Sequence, residues 1–312
     1  MAFIYIIIIV IACVVLVKSA HWIIKSLIYF AQYLHIPEFV VAFILAGLVT
    51  SLPEFFVGIS AAITKTPILS LSNIFGSNIA NVTLILGLTV ILTRGLTLKS
   101  KTIQRNIFYT SLLLMYPILL TLDGVLSRVD GLGLLVLFAL YILILFHQSQ
   151  DFTKKFERAL RKNLIKNLII FIISLTFLLT SSYIIVLMSK LLAMELNISL
   201  FLVGLFLIAI GTSLPELIFG IQAAQGKHKD MIFGNILGSI AVNSTAVLGI
   251  TAIICPITIN DIGLLITTAI FMFGVYLLFA FFSYSKRKLS WQEGFILLFF
   301  YVTFIIIQFL VK

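Results

Sequence analysis

The chain has 312 residues, of which 62% are hydrophobic and 10% are charged, and its formal net charge is +10. Soluble domains are roughly half apolar and about a quarter charged, so this composition excludes a soluble globular protein and indicates a membrane protein. In that setting the basic excess reports membrane topology and gives no support to nucleic acid as a partner. The two cysteines, Cys13 and Cys255, are too few for a disulfide framework.

Apolar stretches long enough for the roughly 20 residues that cross a bilayer recur along the chain. The first stretch has no basic segment before it and no cleavage site after it, so it is predicted to be a retained helix rather than a signal peptide. The stretches predict ten transmembrane helices, at about 3–29, 39–63, 68–93, 106–122, 131–147, 166–190, 200–225, 231–256, 262–283 and 291–311. The predicted fold class is therefore an all-α membrane protein.

Basic residues are distributed unevenly between the two alternating sets of loops. One set carries only Lys65, Arg128, Lys190 and Lys312. Because Lys and Arg accumulate in cytoplasmic loops, the other set is predicted to be cytoplasmic, which places both termini outside. That set comprises Arg94, Lys99, Lys101, Arg105, Lys154, Lys155, Arg158, Arg161, Lys162, Lys166, Lys227, Lys229, Lys286, Arg287 and Lys288.

The pentapeptide Thr-Ser-Leu-Pro-Glu occurs twice, at 50–54 and at 212–216. A shift of 162 residues aligns Thr50–Leu88 with Thr212–Ile250 without a gap, and 18 of the 39 pairs are identical. Each half of the chain holds five predicted helices, an odd number, so the second half enters the membrane from the opposite side. The sequence thus predicts two inverted five-helix repeats, 1–147 and 166–312, joined by a basic cytoplasmic linker at 148–165. A duplication that serves architecture alone would not explain why the polar segments are the most alike.

Of the eleven acidic residues, Glu54 and Glu216 alone lie deep within predicted helices. A carboxylate in hydrocarbon is costly and marks an ion or proton pathway by default. A protonated Glu that only joins two helices by a hydrogen bond is the alternative for each residue taken singly. Inverted repeats place substrate sites near the bilayer midplane, where interrupted helices of both halves meet. The two carboxylates are therefore predicted to form one cation site.

Polar residues accompany each Glu at helical spacing, since positions i and i+4 share a face. Pro53 and Pro215 each remove a backbone donor, which frees the carbonyls of Val49 and Gly211. All the candidate ligands are oxygens, which suits hard cations, and Ca²⁺ takes about 6–8 of them. Two negative charges match one Ca²⁺. The polar faces comprise Thr50, Glu54, Asn73, Ser77 and Asn81 in the first half, and Thr212, Glu216, Asn235, Ser239 and Asn243 in the second.

These paired motifs resemble those of the cation/calcium exchanger superfamily and, within it, of the prokaryotic sodium/calcium exchangers. The family carries Gly-Thr-Ser-x-Pro-Glu followed by Gly-Asn-x-x-Gly-Ser-Asn-x-x-Asn/Asp, which the second half matches at 211–216 and 234–243. The resemblance implies a secondary antiporter that exchanges Ca²⁺ for Na⁺ in the plasma membrane of a prokaryote, without a cofactor. It also implies alternating access, in which the first and sixth helices slide past the other eight. The sequence identifies no protein partner.

The same resemblance assigns ligand roles to individual residues. Glu54 and Glu216 would bind Ca²⁺ and share Na⁺, and hydroxyl, amide and backbone oxygens would complete the cation positions. These oxygens belong to Thr50, Ser51, Ser77, Asn81, Thr212, Ser213, Ser239 and Asn243, with the backbone near Gly47 and Ala209.

Four positions of this sequence differ from the family's motif or vary within the family. Val49 replaces the first Gly, which predicts a tighter or differently shaped helix break, and Ser72 replaces the Gly before Asn73. Ile240 replaces the Asn that follows Gly-Ser in the second repeat. Asn243 occupies a position that is Asp in some relatives, including the potassium-dependent branch, and this argues against K⁺ co-transport.

A proton-coupled cation antiporter is the main alternative, because the same two Glu residues would suffice for it. A membrane-embedded enzyme, such as a lipid phosphatase, is disfavoured because the four His residues are scattered and no phosphate loop, nucleophile elbow or His cluster is present. A passive channel is disfavoured because the sequence shows no continuous pore lining. The protein is predicted not to be an enzyme.

Overall fold

The computed structural model describes residues 1–33, 47–97, 101–148, 164–225, 229–285 and 288–310, and most of them are helical. The helices are α1 (Ala2–Tyr33), α2 (Leu52–Ile63), α3 (Ile68–Ala80), α4 (Leu86–Leu92), α5 (Lys101–Leu120), α6 (Arg128–Gln148), α7 (Leu164–Leu196), α8 (Leu200–Leu202), α9 (Ala209–Thr212), α10 (Leu214–Gln225), α11 (Lys229–Val242), α12 (Leu248–Ile254), α13 (Ile262–Ser285) and α14 (Trp291–Leu310). Three π-helical segments join helices end to end: π1 (Asn81–Ile85), π2 (Val203–Ile208) and π3 (Asn243–Val247). Helices dominate because every backbone polar group in a bilayer must be satisfied internally.

Eight helical segments in the described part of the chain are long and apolar enough to cross a membrane. The predicted span 39–63 lies partly outside the described residues, and its described portion comprises the helical residues 47–50 followed by the 12-residue α2. The predicted span 106–122 corresponds to α5, a 20-residue helix with a polar first half and an internal proline, Pro117. The structure is thus a mostly helical, multi-pass membrane protein. The count of ten spans and the two inverted repeats remain predictions, and most of the predicted linker at 148–165 lies outside the described residues.

The spans differ in how much of their surface is buried by the rest of the protein. Buried residues make up 83% of the most apolar window in Ile68–Leu92 and 89% of that in Ile232–Ile254. In α1 and α7 the corresponding shares are 28% and 33%. The units α3–π1–α4 and α11–π3–α12 therefore form the centre of the molecule. The long helices α1 and α7 pack against each other along their length and leave a wide face for lipid.

Small residues let the central helices approach their neighbours closely. A Cβ atom added at Gly87 in α4 would lie 2.9 Å from the carbonyl oxygen of Gly294 in α14. A Cβ atom added at Gly249 in α12 would lie 2.9 Å from the carbonyl oxygen of Gly131 in α6. Such close backbone packing is a usual means of helix association in membranes, where lipid removes the hydrophobic driving force between helices.

Four two-residue strands pair across the two halves of the chain. Strands β1 (Leu96–Thr97) and β4 (Lys288–Leu289) are antiparallel, and so are β2 (Val125–Leu126) and β3 (Ile257–Thr258). Each of the strands β2 and β4 is followed by a capped helix. The Asp130 carboxylate accepts a hydrogen bond from the Ser127 backbone at 2.8 Å, and Glu293 accepts one from Ser290 at 2.6 Å. These caps satisfy backbone donors that the first helical turn leaves free.

The π-helical segments π1 and π3 begin at Asn81 and Asn243. A π turn shifts the backbone hydrogen bonds by one residue and is frequent at functional sites. The hydroxyl of Thr83 donates to the Ile79 carbonyl at 2.6 Å, and that of Thr245 donates to the Ala241 carbonyl at 2.5 Å. A threonine hydroxyl thus donates a hydrogen bond to a backbone carbonyl beside each of these two π turns. Hydropathy carries no signal for such a register shift.

Candidate functional site

Two helix breaks bring the repeated pentapeptides into the centre of the molecule. Helix α2 begins after Ser51 (φ −82°, ψ 3°), and α10 begins after Ser213 (φ −84°, ψ 4°). Proline lies at the second position of each new helix, where its fixed φ suits the first turn and its missing N–H withholds a donor from the carbonyl four residues earlier. Glu54 and Glu216 follow in the first turn, where the positive end of the helix dipole favours a negative charge.

Thr50, at the first break, contacts the opposite half of the chain. Its hydroxyl donates to the Asn235 side-chain carbonyl at 3.0 Å and lies 3.0 Å from the Ser239 hydroxyl. Asn235 and Ser239 are four residues apart on α11, so they share one face of that helix. The first break is therefore fixed against the second half of the chain.

Thr212, at the second break, makes the corresponding contacts. Its hydroxyl donates to the Asn73 side-chain carbonyl at 3.1 Å and lies 3.4 Å from the Ser77 hydroxyl, on α3. The Ser77 hydroxyl also lies within hydrogen-bonding distance of Glu54, 3.3 Å from its Oε1 atom. The two sets of contacts thus interlock, because each break is held by the polar face of the other half.

The two carboxylates lie close enough together for their charges to interact, and both side chains are fully buried. Glu54 Oε2 and both oxygens of Glu216 lack a partner at hydrogen-bonding geometry. The hydroxyls of Thr50 and Ser239 nevertheless lie beside Glu216. Within the described residues, neither Glu forms an ion pair with Lys or Arg. Buried polar groups are rarely left without partners, so these three carboxylate oxygens are candidate ligands for a cation.

Backbone groups approach the same region at two close helix contacts. A Cβ atom added at Gly47 would lie 2.8 Å from Cα of Gly238, and one added at Gly76 would lie 2.7 Å from Cβ of Ala209. The carbonyls of Gly47 and Ala209 accept hydrogen bonds from the Ser51 and Ser213 backbones, at 3.4 and 3.1 Å. The Ala209 carbonyl also accepts from the Thr212 hydroxyl at 3.4 Å. Both predicted carbonyl ligands are therefore already engaged within the chain.

The remaining predicted site residues are buried, but they are less closely tied to the carboxylates. The Ser213 hydroxyl lies beside Glu54, whereas no hydrogen bond forms at the Ser51 hydroxyl. Both polar atoms of the Asn81 amide lack a partner. Asn243 donates from its amide nitrogen to the Asn78 side-chain carbonyl at 3.5 Å.

The described residues contain no group of three or more His, Cys, Asp and Glu residues arranged to hold a metal ion. Two carboxylates alone do not complete the shell of a hard divalent cation. Hydroxyl, amide and carbonyl oxygens would have to supply the remainder, as the sequence predicts.

Comparison with known proteins identifies the family of the chain. The profile of the family "Sodium/calcium exchanger protein" matches residues 4–147 and 166–310. The chain belongs to the sodium/calcium exchanger family. It is therefore a membrane transporter for inorganic cations and not an enzyme, which confirms the predicted family and transporter class.

Several relatives of known sequence or structure cover most of the chain. An uncharacterised membrane protein of Methanocaldococcus jannaschii is 27% identical and covers 89% of this chain and 90% of its own length. The inner membrane protein YrbG of Escherichia coli is 31% identical over 73% of both chains. The sodium/calcium exchanger MaX1 of Methanosarcina acetivorans is 24% identical over 95% of this chain and 96% of its own. The solved sodium-calcium exchanger NCX_Mj superposes with a TM-score of 0.68 at 25% identity, covering 98% of this chain and 97% of its own.

Three departures from the exchanger motif have structural explanations or consequences. Val49 is buried beside the first break, and the difference in shape expected there does not appear at the serine of each break, since Ser51 and Ser213 have nearly the same backbone angles. Ser72 packs directly against Gly204 in π2, so a larger residue faces a smaller one there. Ile240 is fully buried.

Sequence reasoning missed one polar residue beside the predicted exchanger site. Asn78 is 1% exposed, donates to the Ser244 hydroxyl at 2.9 Å and accepts from Asn243. Its equivalent in the second half is Ile240, so the two halves differ at this position. That difference was the available signal, but hydropathy and spacing do not reveal which residue Asn78 contacts.

Proposed function

We propose that the protein is a secondary antiporter that exchanges Ca²⁺ for Na⁺ at a site built around Glu54 and Glu216. The observation that carries this proposal is the pair of buried, neighbouring carboxylates, which have three unpartnered oxygens and no ion pair with Lys or Arg in the described part of the chain. Two uncompensated carboxylates in a region of low dielectric are strongly unfavourable, so the site requires positive charge. One Ca²⁺ ion supplies the matching charge.

The surrounding oxygens suit Ca²⁺ in number and type. Ca²⁺ takes about 6–8 oxygen ligands in a flexible shell. The two carboxylates offer up to four, and the carbonyls that Pro53 and Pro215 leave without donors, together with the oxygens of Thr50 and Thr212, offer further ones. Ser51 and Ser213 add hydroxyls at the breaks themselves. This set contains neither nitrogen nor sulfur ligands, which would favour transition metals.

Neutral oxygens next to the carboxylates suit Na⁺. Ser77 and Ser239 lie beside Glu54 and Glu216, and Asn81 and Asn243 follow one turn later on the same helix faces. When Ca²⁺ leaves, the two carboxylates must regain positive charge before the empty site can be buried. Binding of Na⁺ at these positions would meet that requirement, which couples the movement of the two ions.

Alternating access would come from movement of α1 and α7 across the central helices. These two helices pack against each other, and only 28% and 33% of their most apolar windows are buried. Cys13 on α1 lies directly against Gly211, at the second break, where an added Cβ atom would lie 2.6 Å from its sulfur. A shift of α1 would therefore expose or cover the break that carries Glu216.

The proposed organisation is two inverted halves, 1–147 and 166–312, with the basic segment 148–165 between them on the cytoplasmic side. Mirrored contacts support it: Thr50 binds Asn235, Thr212 binds Asn73, and both halves carry a π turn that begins with Asn. The distribution of Lys and Arg supports termini on the outside. The plasma membrane of a prokaryote is the proposed location, and the Escherichia coli relative is described as an inner membrane protein.

Two exchangers among the relatives support the choice of ions. MaX1 is described as a sodium/calcium exchanger, and NCX_Mj was solved after soaking with Na⁺ and Ca²⁺. The test is uptake of ⁴⁵Ca²⁺ into proteoliposomes loaded with Na⁺ and diluted into Na⁺-free medium. We expect rapid uptake that collapses when Na⁺ is equal on both sides. Absence of uptake by correctly folded protein, or uptake that follows a pH gradient and ignores Na⁺, would contradict the proposal, and the latter would identify the proton-coupled alternative.

Replacement of Asn243 by Asp is expected to change the dependence on monovalent cations more than the dependence on Ca²⁺. The added carboxylate lies beside the proposed Na⁺ positions, where it attracts a monovalent cation more strongly than an amide does. The half-saturating Na⁺ concentration should therefore fall, while the half-saturating Ca²⁺ concentration changes less. Titration of flux with Na⁺ and with K⁺ measures both effects. A change confined to Ca²⁺ would place Asn243 among the Ca²⁺ ligands instead.

A further inference from the structure

The two halves of the site differ at one pair of buried contacts. On one side, Asn78 and Ser244 form a hydrogen bond of 2.9 Å. The equivalent residues, found by the offset of 162, are Ile240 and Val82, which are 0% and 2% exposed. A polar contact in one half thus corresponds to apolar residues in the other, although both pairs lie beside the proposed ligands.

This difference reaches the two site asparagines. The Asn243 amide nitrogen donates to the Asn78 side-chain carbonyl at 3.5 Å, and the Asn243 side-chain oxygen is buried without a partner. The Asn81 amide, its equivalent, has no partner on either its nitrogen or its oxygen. Asn243 is therefore held in one orientation, whereas Asn81 is not.

The orientation of an amide decides whether it can bind a cation. Its oxygen accepts and so can act as a cation ligand, whereas its NH₂ group carries positive partial charge and repels a cation. When the nitrogen is engaged by Asn78, the oxygen of Asn243 is the atom left for an ion. The Ser244 hydroxyl, in turn, accepts from the Asn78 nitrogen and holds the Asn78 oxygen toward Asn243.

We infer that Asn78 is a positioning residue that orients Asn243 and so makes the two halves of the cation site unequal for Na⁺. This inference rests on the proposed function, since it deepens the role given there to Asn243. Na⁺ would find a preorganised neutral ligand at Asn243, whereas binding at Asn81 would first have to orient the amide. Asn78 itself need not touch the ion.

The test measures Na⁺-driven ⁴⁵Ca²⁺ flux of the full-length protein as a function of Na⁺ and of Ca²⁺. Asn78→Leu keeps the branched shape of the side chain but removes the amide, and we expect the half-saturating Na⁺ concentration to rise about threefold to tenfold, the range of one net hydrogen bond. The half-saturating Ca²⁺ concentration should stay within about twofold. Ser244→Ala, which copies the apolar character of Val82, should shift the Na⁺ dependence in the same direction and provides the readout if Asn78→Leu does not fold.

Rescue separates positioning from a merely structural role. A carboxylate presents an oxygen in either orientation, so in the Asn243→Asp background Asn78→Leu and Ser244→Ala should leave the Na⁺ dependence unchanged. Conversely, Ile240→Asn should give Asn81 a partner and lower the half-saturating Na⁺ concentration of the otherwise unchanged protein.

Four results would overturn the inference. Equal shifts in the Na⁺ and Ca²⁺ dependence would show that the region is perturbed as a whole. A shift that persists in the Asn243→Asp background would show that Asn78 does not act through Asn243. If the parent protein exchanges the two ions and the variants Asn78→Leu and Ser244→Ala have the same Na⁺ dependence as the parent, the inference is wrong but the proposed function stands. If the parent protein shows no Na⁺-driven flux, the proposed function is wrong as well.

Discussion

Replacement of either Glu54 or Glu216 by glutamine is expected to lower Na⁺-driven Ca²⁺ flux by about two orders of magnitude or more, since loss of one partner from a buried charge contact costs about 3–5 kcal/mol. The amide has nearly the same size as the carboxylate, so the fold should be retained. It removes one of the two negative charges that a divalent cation requires. The measurement is ⁴⁵Ca²⁺ uptake into proteoliposomes, with the amount of folded protein determined by size-exclusion chromatography.

Glu293 provides a matched control for this experiment. It is also a buried Glu, 6% exposed, but it caps the start of α14 by accepting hydrogen bonds from Ser290. A glutamine side chain keeps an oxygen that can accept there, so Glu293→Gln should retain flux. If Glu54→Gln or Glu216→Gln transports Ca²⁺ at the parent rate, that residue is not a principal ligand. If all three variants lose flux equally, the loss reports general damage rather than the site.

Gly76→Ala is expected to destabilise the protein and to abolish exchange together. Gly76 lies on α3 next to Ser77, and an added Cβ atom would press against the Leu205 backbone carbonyl and lie 2.7 Å from Cβ of Ala209. Overpacking in a rigid core typically costs about 1–3 kcal/mol and more where backbone must move. Here the helix that would move carries Thr212 and the second break, so the distortion passes directly to the site.

Gly274→Ala is the corresponding control. Gly274 is also helical, in α13, but a Cβ atom added there meets nothing within 4 Å. Alanine has the higher helix propensity, so this variant should be as stable as the parent or slightly more so. The readout is the fraction of protein that remains monodisperse after heating in detergent, followed by flux. Equal behaviour of the two variants would show that the close approach at Gly76 is not needed for the fold or the site.

Much of the fold and the centre of the site could be predicted from the sequence. A long apolar run in a bilayer forms a helix, so hydropathy located α1, α6, α7, α13 and α14 to within about six residues at each end. The repeated pentapeptide identified Glu54 and Glu216, because a buried acid is too costly to be incidental. Proline at the same place in both copies located the two helix breaks.

The details that the sequence did not reveal are those decided by tertiary contacts. Spacing placed Asn73 and Ser77 on one face of a helix, but only the packed structure shows that this face holds Thr212 of the other half. Val49 was expected to change the shape of the first break, but the serines at the two breaks have nearly the same backbone angles, and proline follows each of them at the same position. The π turns at Asn81 and Asn243 depend on hydrogen-bond register, which composition does not report.

The interlocked contacts between the halves bear on how such a duplicated gene can change. A side chain at one break contacts a helix encoded more than a hundred codons away. Substitutions at one of these positions are therefore constrained by the residue that it contacts in the other half. Equivalent positions in the two halves are filled in one case by a hydrogen-bonded polar pair, Asn78 and Ser244, and in the other by two buried apolar residues, Ile240 and Val82. Positions 78 and 244 should therefore covary among homologues, as should 240 and 82, and the ancestral symmetry is expected to decay in coupled pairs rather than residue by residue.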